Sequence, residues 1–200
     1  MKLAYGLLAL LAIAFAGCGG CGGTQTTGPV KEITTESLEK VGDTWNVKFT
    51  SRIDAPVDQV YTALSQPERM HEFIPDSVLK SDLVKKDGDA KTVDLVFKLD
   101  ILPPGFKVQT VRNDLMFYPS EKRVTQKSVD FKLADIASEY KLVPTPDGKG
   151  TLVTFTQTSK DKGGLPVESL QKGALRETYI MQVRAVNKAL GLEKPAQPAG

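Results

Sequence analysis

Between Gly163-Gly164-Leu165-Pro166 and Gly191 runs the longest helical pattern of the chain, residues 166–190, and it is apolar over too wide an arc to lie on a surface. Leu175, Tyr179, Val183, Val186 and Leu190 fall on one row, and Leu170, Ala174, Met181, Ala185 and Ala189 on the row beside it. Two adjacent rows make one broad buried face. A lone helix with such a face needs a concave partner, and a curved antiparallel sheet supplies one.

The preceding sequence contains that sheet. In residues 44–53, Trp45, Val47, Phe49, Ser51 and Ile53 alternate with Thr44, Asn46, Lys48, Thr50 and Arg52, which predicts a half-buried strand. Residues 54–64 then read as a helix, with Asp54 as its cap, Pro56 in its first turn and a stripe of Val57, Val60, Tyr61 and Leu64. A second short helix follows over 66–73 and is stopped by Pro75. Extended segments come next at 77–86, 90–101, 106–118, 122–133, 137–144 and 151–160. Turn sequences join them, namely Asp87-Gly88-Asp89, Pro103-Pro104-Gly105, Tyr118-Pro119-Ser120-Glu121 and Pro146-Asp147-Gly148-Lys149-Gly150. Val93, Leu95, Phe97, Leu99 and Ile101 are placed on one face of their strand, with Asp94, Lys98 and Asp100 on the other. The expected fold is α+β: a curved antiparallel sheet of about seven strands around a long C-terminal helix, with two short helices after the first strand.

The order of these elements, the stretch Ile53-Asp54-Ala55-Pro56-Val57-Asp58-Gln59-Val60-Tyr61 followed by Pro67-Glu68-Arg69, and Leu165-Pro166 leading into Ala174-Leu175-Arg176-Glu177 resemble the SRPBCC or START-like superfamily. That superfamily has the helix-grip fold of START lipid carriers, birch-pollen-allergen-type proteins, polyketide cyclases and ubiquinone-binding START-related proteins. The resemblance covers residues 30–192 and specifies a fold rather than an activity.

A strongly curved sheet gripping one helix leaves inner surface that the helix does not cover, so the resemblance implies a cavity for a hydrophobic small molecule. The residues expected to line it are Phe73, Phe97, Leu99, Ile101, Phe106, Phe155, Tyr179 and Met181, with Pro103-Pro104-Gly105 as a mouth loop. Ordinary core packing is the competing reading for each of them. Polar candidates are His71, Arg112 and Arg176, beside Asp114, Glu139 and Glu177. His71, the single histidine, is either an acid, base or hydrogen-bond donor at the pocket or a surface residue among Glu68, Arg69 and Glu72. Arg112 and Arg176 either meet a polar ligand group or lie in solvated ion pairs. No metal motif, phosphate loop or cofactor motif is evident, and no catalytic residue is assigned.

Residues 1–17 read as a signal peptide, with Lys2 ahead of an apolar stretch that ends at Phe15-Ala16-Gly17 before Cys18. At about 1.5 Å per residue this stretch spans only about 22 Å, short of a hydrocarbon core about 30 Å thick. The pattern resembles a lipobox with Cys18 as the lipidated residue, although Phe15 stands where an aliphatic is usual. An ordinary secretory peptide is the alternative. Residues 18–29 form a glycine- and threonine-rich tether, in which Cys21 is a spare thiol, and residues 193–200 form a disordered tail. Gly19 after the cysteine argues for the outer membrane facing the periplasm, with inner-membrane anchoring or surface exposure as alternatives.

Lys and Arg total 26 against 24 Asp and Glu, so nothing draws the chain to nucleic acid. A monomer is expected. The leading expectation is a membrane-tethered carrier or binder of a lipid, sterol-like compound, quinone or polyketide. A cyclase/aromatase-type enzyme and a protein-interaction module with a filled pocket are the alternatives.

Overall fold

The computed structural model describes residues 33–163 and 167–193. The signal peptide, Cys18, the tether and residues 194–200 lie outside the described residues, as does Pro166. Eight strands form one antiparallel sheet: β1 (Thr35–Val41), β2 (Thr44–Ile53), β3 (Val78–Asp87), β4 (Ala90–Lys98), β5 (Val108–Tyr118), β6 (Arg123–Val129), β7 (Ala134–Pro144) and β8 (Thr151–Asp161). Their spatial order is β1-β2-β8-β7-β6-β5-β4-β3. The last six strands are thus the expected meander, and β2 closes onto β8.

The strand absent from the sequence reading is β1, which makes the sheet eight-stranded and puts the short helices after the second strand. Its sequence, TESLEKV, is polar on both faces. Glu36, Leu38 and Lys40 are the residues opposite Phe49, Val47 and Trp45 of β2, whose side chains point inward. Glu36 pairs with Arg176, and the Lys40 ammonium donates to Gln171 Oε1 at 3.0 Å. Inward charges that meet helix partners leave no hydrophobic alternation to read.

Between β2 and β3 stand α1 (Val57–Leu64) and α2 (Met70–Phe73), the latter entered through a 3₁₀ turn, Pro67–Arg69. Asp54 does not cap α1. Pro56 occupies the cap position without a side-chain bond, while Asp54 accepts from Arg52 at 2.9 Å.

The long helix is α3 (Glu168–Ala189). Its two apolar rows face two different core clusters. Leu175, Tyr179, Val183, Val186 and Leu190 join Trp45, Val47, Phe49, Ile53, Tyr140 and Phe155 in the first. Leu170, Ala174, Met181 and Ala185 join Ile74, Val78, Phe97, Leu99, Leu102, Val111 and Phe131 in the second. The first cluster is aromatic and tight, with Tyr179 stacked on Phe49 at 4.9 Å between centroids and on Phe155 at 5.2 Å. Tyr140 meets Phe155 at 4.7 Å. The Tyr179 hydroxyl bonds to Ser51 Oγ at 2.9 Å. Each aromatic pair adds roughly 0.5–1.5 kcal/mol beyond the area it buries.

A polar clamp holds the N-terminal half of α3. Trp45 Nε1 donates to Gln171 Oε1 at 2.9 Å, and Gln171 Nε2 donates to Asp161 at 2.6 Å. The ammonium groups of Lys40 and Lys172 lie 5.5 and 5.4 Å from the indole centroid. At the far end of the sheet, Asp147 in the β7–β8 turn takes bonds from Thr145 Oγ1, the Lys149 amide and Arg52.

Tyr179→Ala should cost about 3–5 kcal/mol of unfolding free energy and Tyr179→Phe about 1, read from urea midpoints at unchanged slope. Equal losses for the two would contradict the stacked arrangement. The bonds from Thr145, Lys149 and Arg52 hold the Asp147 carboxyl down at about 2, below its ordinary 3.8. A depressed carboxylate stabilises above the unfolded value and loses that contribution as pH falls through the folded one. The acid limb between about pH 4 and 2 should therefore be shallower in Asp147→Asn than in the parent, as measured by urea unfolding at each pH.

Candidate functional site

The second core cluster is incompletely filled. Opposite the aromatic stack, α3 presents small residues, Gly173, Ala174 and Ala185, on the side that faces β4, β5 and the segment after β6. A cavity of about 120 Å³ remains there. Its walls are Phe97, Val111 and Phe131 from the sheet side, Ala174, Leu175 and Met181 from α3, and Leu99 and Leu102 from the loop between β4 and β5. A neighbouring space of about 40 Å³ lies toward α1 and α2, with Phe73, Pro67 and Tyr140 in its wall. Met70, Leu95, Asn113, Gln126 and Gln182 line both. A larger, open depression of about 890 Å³ belongs mainly to the opposite register of the strands, with Thr92, Asp114, Thr125, Lys127, Thr156 and Thr158. It is open, with Val47, Leu115 and Met116 among its mostly polar lining residues.

Phe97, Leu99 and Met181 are brought together in the cavity wall, and Phe73 lines the smaller space beside it. Phe155 and Tyr179 lie instead in the aromatic stack of the first cluster, where they position α3. Phe106 packs against the second cluster without lining the cavity. Ile101 is 41% exposed, because β4 ends at Lys98 and the chain turns before it. It rests on α3 from outside: a Cβ on Gly173 would collide with its Cδ1. The Pro103-Pro104-Gly105 segment is exposed, and it is Leu102, 2% exposed, that this loop pushes inward as a plug.

The three polar candidates all stand outside the cavity. Arg112 is on the outer face of β5, bidentate to Asp94 at 2.7 Å through both nitrogens. Arg176 is tied to Glu36 of β1 and points to the sheet edge. His71, in α2, contacts Ser81 Oγ through Nδ1 at 2.6 Å. Ser81 gives its own proton to the Glu68 carbonyl at 2.8 Å, which leaves its oxygen to accept from Nδ1. That assignment makes His71 a pin between α2 and β3. Of the other carboxylates weighed, Asp114 accepts from Thr92 at 2.7 Å and Glu139 from Arg123 at 3.2 Å.

Residues that the sequence reading missed include Leu102, Val111, Phe131 and Trp45. The signal for Val111 was present in the alternation Val111, Asn113, Leu115, Phe117 of β5, all four buried. Phe131 carried no such signal. Asp130 has a positive φ of 55°, which ends β6 and swings the next side chain inward.

Among the described lining residues Asp161 is the single ionisable group, and it is engaged by Gln171 and by the Gly163 amide at 2.8 Å. Burial raises the Tyr140 phenol well above its usual range and, outweighing the Ser51 bond, raises Tyr179 to about 12. Both phenols stay protonated at neutral pH. No group of three or more metal-type ligands occurs among the described residues. Among the described residues the cavity wall is thus largely apolar, with uncharged polar groups and one carboxylate bonded on both oxygens.

No curated protein matches the chain. Its fold is that of several solved structures. The Zhui aromatase/cyclase of Streptomyces sp. R1128 superposes with a TM-score of 0.60 at 15% identity, over 74% of this chain and 92% of that one. A protein from Thermus thermophilus gives 0.62 at 18% identity, over 74% and 99%. A START superfamily protein from Mycobacterium smegmatis gives 0.59 at 15%, over 74% and 99%. Residues 44–184 match the family described as polyketide cyclase/dehydrase and lipid transport, and with well over half of its length in that match the chain belongs to this family.

Proposed function

We propose that this protein binds a hydrophobic small molecule between its sheet and α3, and that it does so in the cell envelope, tethered by a lipid on Cys18 to the periplasmic face of the outer membrane. The observation that carries the binding half is the unfilled second core cluster, an apolar hollow walled by Phe97, Val111, Phe131 and Met181. A hollow of about 120 Å³ compares with the roughly 150 Å³ that accommodates a benzene-sized guest, and falls below the roughly 300–1,000 Å³ of drug-sized sites. A larger ligand must displace Leu102 and the β4–β5 loop. That loop is braced within itself, the Leu99 amide bonding to Lys107 O at 2.8 Å and Gln109 Nε2 to Phe106 O at 2.6 Å.

The same small volume favours one competing reading, an interaction module whose pocket is filled by its own side chains. A cyclase/aromatase-type enzyme finds less support, since Asp161 is the one ionisable wall residue and is already bonded on both oxygens.

Native mass spectrometry of the full chain, released in detergent from its host's membranes and followed by organic extraction, should show one apolar molecule bound per protein. Leu102→Ala should widen the cavity at a stability cost of about 2–5 kcal/mol and raise occupancy by apolar probes such as naphthalene. An empty protein whose Leu102→Ala form binds no better supports the interaction module. Cys18→Ser should move the protein from the membrane to the soluble fraction with an unchanged circular dichroism spectrum; retention on membranes contradicts the tether.

A further inference from the structure

A belt of uncharged polar side chains runs through the largely apolar wall of the cavity, which also holds Gln109, Ser159 and Thr178 outside that belt. Gln126 of β6 pairs in register with Ser138 of β7, and Ser138 with Gln157 of β8. Residues so paired stand side by side on one face at about 4.8 Å spacing. On β5 the residue opposite Gln126 is Leu115, and Asn113 lies one inward position along, diagonal to Gln126; Gln182 lines both spaces from α3.

Asn113 is 3% exposed, yet neither its amide nor those of Gln126, Gln157 and Gln182 has a side-chain hydrogen bond with any described residue. Near them the Tyr140 hydroxyl, in the wall of the smaller space, is buried and also unpartnered. The Tyr140 hydroxyl is fully buried, where lacking a partner costs about 1–3 kcal/mol, while Gln126, Gln157 and Gln182 are half-buried and line the hollow with bonding capacity unused. Groups so placed are satisfied when something polar enters. Each amide offers both a donor and an acceptor, and the phenol, held protonated by its burial, offers a donor.

The charge in the wall decides what that something is. Among the described residues no Lys, Arg or His lines either space, and the one carboxylate, Asp161, lies at the α3 clamp. An ionised carboxylate or phosphate buried here would meet no cation.

We infer that the Asn113–Gln126–Gln182 junction selects a neutral ligand whose apolar ring body carries carbonyl or hydroxyl oxygens, and rejects ionised fatty acids and other anionic lipids. This rests on the binding function proposed above. The ligand lies across the seam of the two spaces, its oxygens at the amides and its rings against Phe97, Val111 and Met181.

Three probes of nearly equal size separate the terms: naphthalene, its neutral ketone 2-acetylnaphthalene, and 2-naphthoate, ionised at pH 7.5. Equilibrium dialysis against the purified full chain should show the ketone bound roughly tenfold more tightly than naphthalene, and 2-naphthoate more weakly than either. Asn113→Leu and Gln126→Leu should bring the ketone down to the level of naphthalene measured on the same variant. Urea midpoints monitor their folding. The comparison of the three probes on the parent protein stands without them. Naphthalene binding with no preference for the ketone, or tighter binding of 2-naphthoate, overturns the inference and leaves the hydrophobic-binding reading intact. If none of the three binds, both fall.

Discussion

Everything in this molecule depends on how α3 is fastened, and it is fastened on one side only. Tyr179 is wedged between Phe49 and Phe155, with Tyr140 against Phe155 and Ser51 on its hydroxyl. The Trp45–Gln171–Asp161 clamp fixes the helix about two turns earlier. With the helix held along β2 and β8, its other row has to meet the distant strands across whatever gap the curvature of the sheet leaves. That row is Leu170, Ala174, Met181 and Ala185, and its two alanines are too small to close the gap. The cavity is a consequence of rigid packing elsewhere, which is how a protein keeps a hollow from collapsing.

Much of this was legible in the sequence. The two apolar rows of the last helix face the two core clusters, all but Ala189 of the second row joining them, because helix periodicity fixes which side chains share a face. The meander was readable from its turns. What escaped was set by tertiary partners. The polar strand β1 folds onto the sheet because its inward Glu36 and Lys40 find Arg176 and Gln171, partners no local pattern reveals. Phe155 and Tyr179 read as cavity residues from their size, yet size placed them in the tight half of the core. Ile101 followed the alternation of β4 on paper, whereas the chain turns after Lys98 and sets Leu102 inside in its place.

The polar belt belongs to the same class of information. Asn113 and Gln126 occupy inward positions of strands that are otherwise apolar, and in the sequence alone such residues are indistinguishable from bulges or errors of register. Only the sheet register shows that they converge with Gln157 and Gln182 on one hollow. Their neutrality matters as much as their polarity. A family that includes cyclases and lipid transport places chemistry and carriage in one architecture, and the side chains around the hollow here supply hydrogen bonds without an acid–base couple.

The most direct test of the central claim is a crystal structure of the full chain purified with whatever it carries from its own host. The account predicts electron density for an apolar molecule between Phe97, Val111 and the Ala174–Met181 face of α3, with Leu102 moved aside. The unchanged hollow of about 120 Å³ with Leu102 still seated in it, or a ligand bound on the outer face of the sheet, would contradict it.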